Sequence, residues 1–343
     1  MINGHGDDRH HYSNPICADF SSNVWFGGTP ADLIAHLQQN MDLIGRYPEP
    51  DAAGFCGKIA DMLELSAKQV LAFNGSVEAF YTISLAFRKE VSAIRYPAFS
   101  EYEDACLMHR HSLSFFRSEE LELALKEGAN LCWIGNPNNP DGYIFSSEQI
   151  EKALKTYPET IFVVDEAYAG LVPQFQSVIP FVRNYSNLIV VRSLTKCCAI
   201  PGLRLGYVVA SERLAGRLRR FQQPWAVNAL AQEAGKFMID YLAKNPLDTA
   251  KMQSLSMGLQ KSVDSLDGFS VLASELPFFL VETQVGNAFQ LKKYLLENHG
   301  ILIRDASNFR GLNEHHFRIS TRDEKDNQLL INGLLNWNLN RYE

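Results

Sequence analysis

The sequence predicts an α/β fold, with a large domain built on a mainly parallel sheet between helices and a smaller α+β domain joined to it. Three observations carry this prediction. Apolar runs near 131–135, 161–164 and 188–191 are each strand-length, and the stretches between them are long enough for a crossover helix. That alternation is the pattern of a parallel sheet covered on both faces. A length of 343 residues exceeds what one core usually supports. Beyond residue 240 the pattern changes to amphipathic helical stretches near 244–266, 286–299 and 323–341, interleaved with strands near 270–282, 300–304 and 316–320. The expected division is an N-terminal segment (1–40) packing on the small domain, a large domain (41–243) and a small C-terminal domain (244–343).

Composition removes several classes of function. With 46% apolar and 21% charged residues the chain reads as globular, and a net charge of −7 argues against a nucleic-acid binder. Cys17, Cys56, Cys106, Cys132, Cys197 and Cys198 show neither a CxxC pair nor a Cys/His metal spacing, so reduced thiols and no metal site are expected. The first residues lack a cationic start followed by an apolar stretch, and no run of 18 apolar residues occurs. The expected setting is the cytoplasm, without membrane contact.

Parallel sheets bind ligands where loops leave the carboxyl ends of their strands. Three polar clusters stand there: Asn136-Pro137-Asn138-Asn139-Pro140, Asp165-Glu166-Ala167-Tyr168 and Arg192-Ser193-Leu194-Thr195-Lys196. Asp165 ends a strand so apolar that its carboxylate needs either a cationic partner or a helix to cap. Lys196 is flanked by Ser193 and Arg204, which can aim at one phosphate, while Gly202 and Gly206 let backbone pass nearby. A fourth apolar run covers 205–209. Earlier, the strand-like Val70-Leu71-Ala72-Phe73 gives way at Asn74-Gly75-Ser76-Val77-Glu78 to a helical pattern, whose first N–H groups suit an anion. Together these residues meet the needs of pyridoxal 5′-phosphate. Lys196 would carry it as an imine, Asp165 would face its ring nitrogen, Tyr168 and Asn139 would donate to its phenolic oxygen, and Gly75, Ser76, Val77, Ser193 and Arg204 would cradle its phosphate.

From about residue 17 to 335 the chain resembles fold-type I pyridoxal-phosphate enzymes, in the branch of threonine-phosphate decarboxylase and histidinol-phosphate aminotransferase. The segment 136–142 is similar to the branch's NPNNPTG, with Asp141 in place of Thr. Asp165-Glu166-Ala167-Tyr168 resembles DEAY, and the run from Ser193 through Lys196 to Tyr207 resembles SLSK…GLRLGY. The resemblance implies a seven-stranded type of sheet. It also implies that Phe99, or Tyr102 in its place, stacks on the cofactor ring. It further implies a homodimer in which Tyr47 reaches the partner's cofactor phosphate.

The same resemblance implies a phosphorylated amino-acid substrate, its carboxylate held by Arg318 and covered by Asn23. His5, Gly6, Arg304 and Arg322 are the candidates near its phosphate. The segment from Ile301 to Leu312 and the run Asp19-Phe20-Ser21-Ser22-Asn23 are most similar to the decarboxylase, whereas Asp7-Asp8 and Trp25-Phe26 depart from it. The expected reaction is decarboxylation of L-threonine O-3-phosphate to (R)-1-aminopropan-2-yl phosphate in cobalamin side-chain synthesis. An aminotransferase acting on a substrate such as histidinol phosphate is the alternative, and a non-catalytic sensor on the same fold is a remote one. Asp7 and Asp8 would repel a phosphate unless they point away. Cys197 and Cys198 read either as packing behind the cofactor or as a reactive thiol.

Overall fold

A computed structural model describes residues 6–339. Strand β1 (Ala18–Asp19) belongs to the N-terminal segment. The large sheet follows with β2 (Val70–Phe73), β3 (Val91–Arg95), β4 (Ser112–Phe116), β5 (Leu131–Gly135), β6 (Ile161–Asp165), β7 (Leu188–Ser193) and β8 (Gly206–Ala210). The C-terminal part contributes β9 (Phe269–Leu272), β10 (Phe278–Thr283), β11 (Ile301–Leu302), β12 (Arg304–Asp305) and β13 (His316–Ser320).

The large sheet has the order β2-β8-β7-β6-β5-β3-β4, and only β8 runs antiparallel to its neighbours. Both faces are buried. Cys132 and Ile134 of β5 enter one core with Phe162 and Val164, while Leu131 and Trp133 enter the other with Val163 and Ile189. Continuous apolar runs are the sequence signature of that double burial. A second, antiparallel sheet has the order β12-β13-β10-β9, and β1 pairs in parallel with β11. Among the described residues no helix is long and apolar enough to cross a membrane.

Three expected elements are divided in the structure. Pro246 removes a helical donor, so the stretch near 244–266 is the end of a helix at Ala229–Lys244 and a new one at Thr249–Asp264, with the Asp248 side chain accepting from the Lys251 N–H at 2.9 Å. The expected strand near 270–282 is two antiparallel strands, β9 and β10, joined by a turn ending at Pro277. That near 300–304 switches sheets at Ile303, giving β11 to the N-terminal segment and β12 to the antiparallel sheet.

Candidate active site

The carboxyl ends of β5, β6 and β7 lie side by side, Gly135 opposite Asp165 and Asp165 opposite Val191. Their loops deliver Asn139, Asp165, Tyr168 and Lys196 to one cavity of 130 Å³, which Ser76, Val77, Phe99, Tyr102, Thr195 and Arg204 also line. It continues into a cleft of 460 Å³ bounded by Gly6, Ser21, Asn23, Asn308, Arg304 and Arg318. Residues separated by more than 200 positions therefore meet at Lys196.

Asp165 is buried at the bottom of the inner cavity. The Tyr102 hydroxyl donates to its Oδ2 at 2.6 Å and the Ala167 N–H to its Oδ1 at 2.9 Å. Burial nevertheless pushes its pKa up to about 6, because desolvation outweighs those donors and the nearby Lys196 charge. A cation against Asp165 would restore the ionised form, and a protonated pyridine nitrogen is such a group. Tyr102 lines the inner cavity at Asp165, stacked on Trp133, whereas Phe99 and Tyr168 are aromatic residues that border both cavities.

Anion-binding features face this wall. The helix Gly75–Ala86 begins beside Arg204, whose guanidinium is drawn down in pKa by burial and has no carboxylate partner among the described residues. Gly75 has φ +81°, and a Cβ there would stand 2.5 Å from Arg204 Nη2. A Cβ at Gly206 would stand 2.8 Å from the Ser76 nitrogen, so that glycine lets β8 lie against the helix start. Ser193 does not line the cavity. Its hydroxyl is 2.7 Å from that of Thr195, which does, so Thr195 is a lining residue the motif reading passed over.

The outer cleft is organised by β12 and β13, where Arg304 and Arg318 are direct cross-strand partners. Arg318 donates to Asn139 Oδ1 and, at 2.7 Å, to the Ser21 carbonyl. Its Nε is buried and has no partner among the described residues, and burial lowers its pKa to about 10. Arg304 is likewise lowered to about 10 by burial and by Arg318, and Asn308 Oδ1 holds it at 2.7 Å. Two desolvated like charges in register are chemically suited to anionic groups. A Cβ at Gly6 would lie 3.4 Å from Arg318 Nη2, placing Gly6 on the same wall. Asn23 Nδ2 donates to the Tyr168 hydroxyl at 3.3 Å, and Lys196 Nζ is 5.7 Å from the Tyr168 ring centre.

Arg322 sits elsewhere. Its guanidinium donates to the carbonyls of Asp19, Ser22 and Val24, pinning residues 19–24 as a strap over the cleft. The Trp25 N–H donates to the Lys196 carbonyl at 3.0 Å, fixing that strap to the lysine turn. Asp7 and Asp8 pair with Arg9 and Lys292, each at 2.6 Å, and Asp7 still lines the cleft beside Gly6. His5 lies outside the described residues. Tyr47 is 86% exposed and absent from both cavities of its own chain.

The family model for aminotransferase class I and II matches residues 15–334. The chain belongs to that family. Pyridoxal 5′-phosphate is the family's cofactor, and the buried Asp165, the Gly75–Arg204 cradle and Lys196 fit it, so this aminotransferase-family chain is a pyridoxal-phosphate-dependent enzyme. Its fold is similar to the crystal structure of L-threonine-O-3-phosphate decarboxylase from Porphyromonas gingivalis, with a TM-score of 0.91 and 39% identity over 94% of this chain and 99% of that one. Histidinol-phosphate aminotransferase from Clostridium acetobutylicum gives a TM-score of 0.84 and 25% identity, covering 94% and 99%. The threonine-phosphate decarboxylase of Salmonella typhimurium is 29% identical, covering 93% of this chain and 90% of its own length.

Proposed function

We propose that the enzyme decarboxylates L-threonine O-3-phosphate to (R)-1-aminopropan-2-yl phosphate and CO2, and so serves cobalamin side-chain synthesis. The observation that carries this reading is the cross-strand pair Arg304 and Arg318 in the cleft leading to Lys196. A substrate with both a carboxylate and a phosphate satisfies two cations, whereas histidinol phosphate has only one such anion. The similarity to the two decarboxylases supports the same choice.

When bound, pyridoxal 5′-phosphate supplies an electron sink for the bond broken at Cα. Arg318, positioned by Asn139 and the Ser21 carbonyl, holds the substrate carboxylate in bidentate fashion through its unpartnered Nε and an Nη. Arg304 and the Gly6 backbone take the phosphate. Fixing both ends would set which bond at Cα is presented for cleavage, the carboxylate bond in this reading. Asp165 would face the ring nitrogen and hold its proton there. Tyr168 and Asn139 would face the phenolic oxygen and Phe99 the ring, while Lys196 Nζ would hold the proton that Cα takes after CO2 leaves.

A second copy completes the site in this reading. Tyr47 and Trp225, with ring centres 5.5 Å apart, stand exposed, as do Ile44 and Met41 of the preceding turn, and in this reading Tyr47 serves the partner's cofactor phosphate. Incubating the holoenzyme with L-threonine O-3-phosphate and no 2-oxo acid should release CO2 and the amine phosphate in equal amounts. Absence of CO2, or turnover only when a 2-oxo acid is supplied, would reject decarboxylation in favour of transamination.

A further inference from the structure

On the reverse side of the lysine turn lies a separate cavity of 330 Å³, within the range of small-ligand sites. Ile59, Met62, Met238, Ile239 and Leu242 make its wall apolar, and Arg192, Cys197 and Cys198 form a polar floor. It shares only Ala167 with the cofactor cavity. Gly170 lies against the Cys197 side chain, since a Cβ there would stand 3.1 Å from Cys197 Cβ. Cys197 is half-buried and Cys198 buried, with their sulfurs 3.8 Å apart.

The proposed chemistry differs from that of the other thiols. Cys56, Cys106 and Cys132 are buried and pushed up in pKa by desolvation. The Cys198 thiol bonded to Cys197, together with the Arg192 charge, instead holds Cys197 below its usual value against its burial. Arg192 lies 3.5 Å from Glu166 Oε2 and keeps part of its surface open. A guanidinium beside a nucleophilic sulfur, under an apolar wall, suits a ligand with an apolar body and a carbonyl oxygen.

We propose that this cavity is a covalent ligand site, in which Cys197 captures small apolar α,β-unsaturated carbonyl compounds. The sulfur bonds to the β-carbon, the alkene π pair passes to the α-carbon as Arg192 stabilises the carbonyl oxygen, and the thiol proton ends on the α-carbon. No oxidant or reductant is needed. The adduct wedges between Glu166-Ala167 and Ser193-Leu194, the segments that follow Asp165 and precede Lys196, and so acts on the cofactor site from behind.

The test uses the folded enzyme carrying Cys17→Ser, which removes the exposed thiol. N-phenylmaleimide should give one adduct, mapped by mass spectrometry to Cys197. It should be slowed by excess unreactive N-phenylsuccinimide, absent in Cys197→Ser and retained in Cys198→Ser. Cationic N-(2-aminoethyl)maleimide should label the same thiol poorly. Displacing the lysine turn by about 1 Å should slow capture of added pyridoxal phosphate by cofactor-free enzyme about 100-fold, read by borohydride fixation on Lys196, with no effect of the reagent on Cys197→Ser. Labelling only after unfolding, labelling that the cationic maleimide matches and the succinimide does not slow, or an adduct that leaves cofactor capture unchanged would each overturn the proposal. These readouts are independent of which substrate the enzyme takes.

Discussion

At Asp165 burial and chemistry pull in opposite directions. Its carboxyl is raised to about 6 from an ordinary value of 3.8, because burial outweighs its donors and the Lys196 charge. A raised folded-state value gives stability that is full below 3.8 and is lost as pH rises through about 6. The cofactor-free enzyme should therefore melt at a lower temperature at pH 7 than at pH 5, by a margin that Asp165→Asn narrows. Equal pH dependence in the two proteins would refute the assignment. With cofactor restored, Asp165→Asn should keep it bound yet slow turnover on the order of 100-fold or more, since the ring nitrogen loses its ionic partner. Gly75→Ala tests the phosphate end. A Cβ at φ +81° and 2.5 Å from Arg204 Nη2 displaces the guanidinium, and losing its charge-assisted bonds should weaken cofactor affinity about 10- to 100-fold in a fluorescence titration. Lys196→Ala should remove the borohydride-fixed lysine adduct altogether.

Among the elements, the loop after β5 depends on a buried ion pair that replaces the usual motif residue. Asp141 Oδ2 meets Arg95 Nη2 at 2.5 Å, its Oδ1 accepts from Asn138 at 2.7 Å, and Arg95 also reaches Ser118 and the Pro97 carbonyl. This pair ties the loop bearing Asn139 to the one bearing Phe99. Asp141→Ala should cost about 3 to 5 kcal/mol in urea unfolding, by leaving Arg95 charged and alone, and Arg95→Met with Asp141→Thr should recover most of it. A single substitution with no more effect than the double one would contradict this account. Strands β5, β6 and β7 were legible because burial on both faces leaves an unbroken apolar run, and their polar loops marked most of the site. Strands β3 and β4 were not. Ser92 and Arg95 interrupt the first, and the second is a partly exposed edge in which serines alternate with apolar residues. The roles of Tyr102 and Arg322 were hidden for another reason. Each rests on a partner more than 60 positions away, and no local pattern records it.

For the molecule as a whole, the exposed group of Met41, Ile44, Tyr47 and Trp225 is the surface on which the proposed dimer is tested. Placing a charge there with Trp225→Asp should raise the dimer dissociation constant roughly 30-fold, as loss of a central aromatic anchor does. Sedimentation should then show the single chain, with activity recovering as protein concentration rises. An unchanged sedimentation profile would exclude this face. The strap of residues 19–24 has a consequence for the order of events during synthesis. Its segment leaves the ribosome long before its anchors do, so Trp25 must wait for Lys196, and the carbonyls of Asp19, Ser22 and Val24 must wait for Arg322. The seven strands of the large sheet are complete by Ala210, so that sheet can form while the strap is still unanchored. A segment made before the large sheet is thus fastened after it, and a truncated chain ending before β13 would carry Lys196 without a finished substrate cleft.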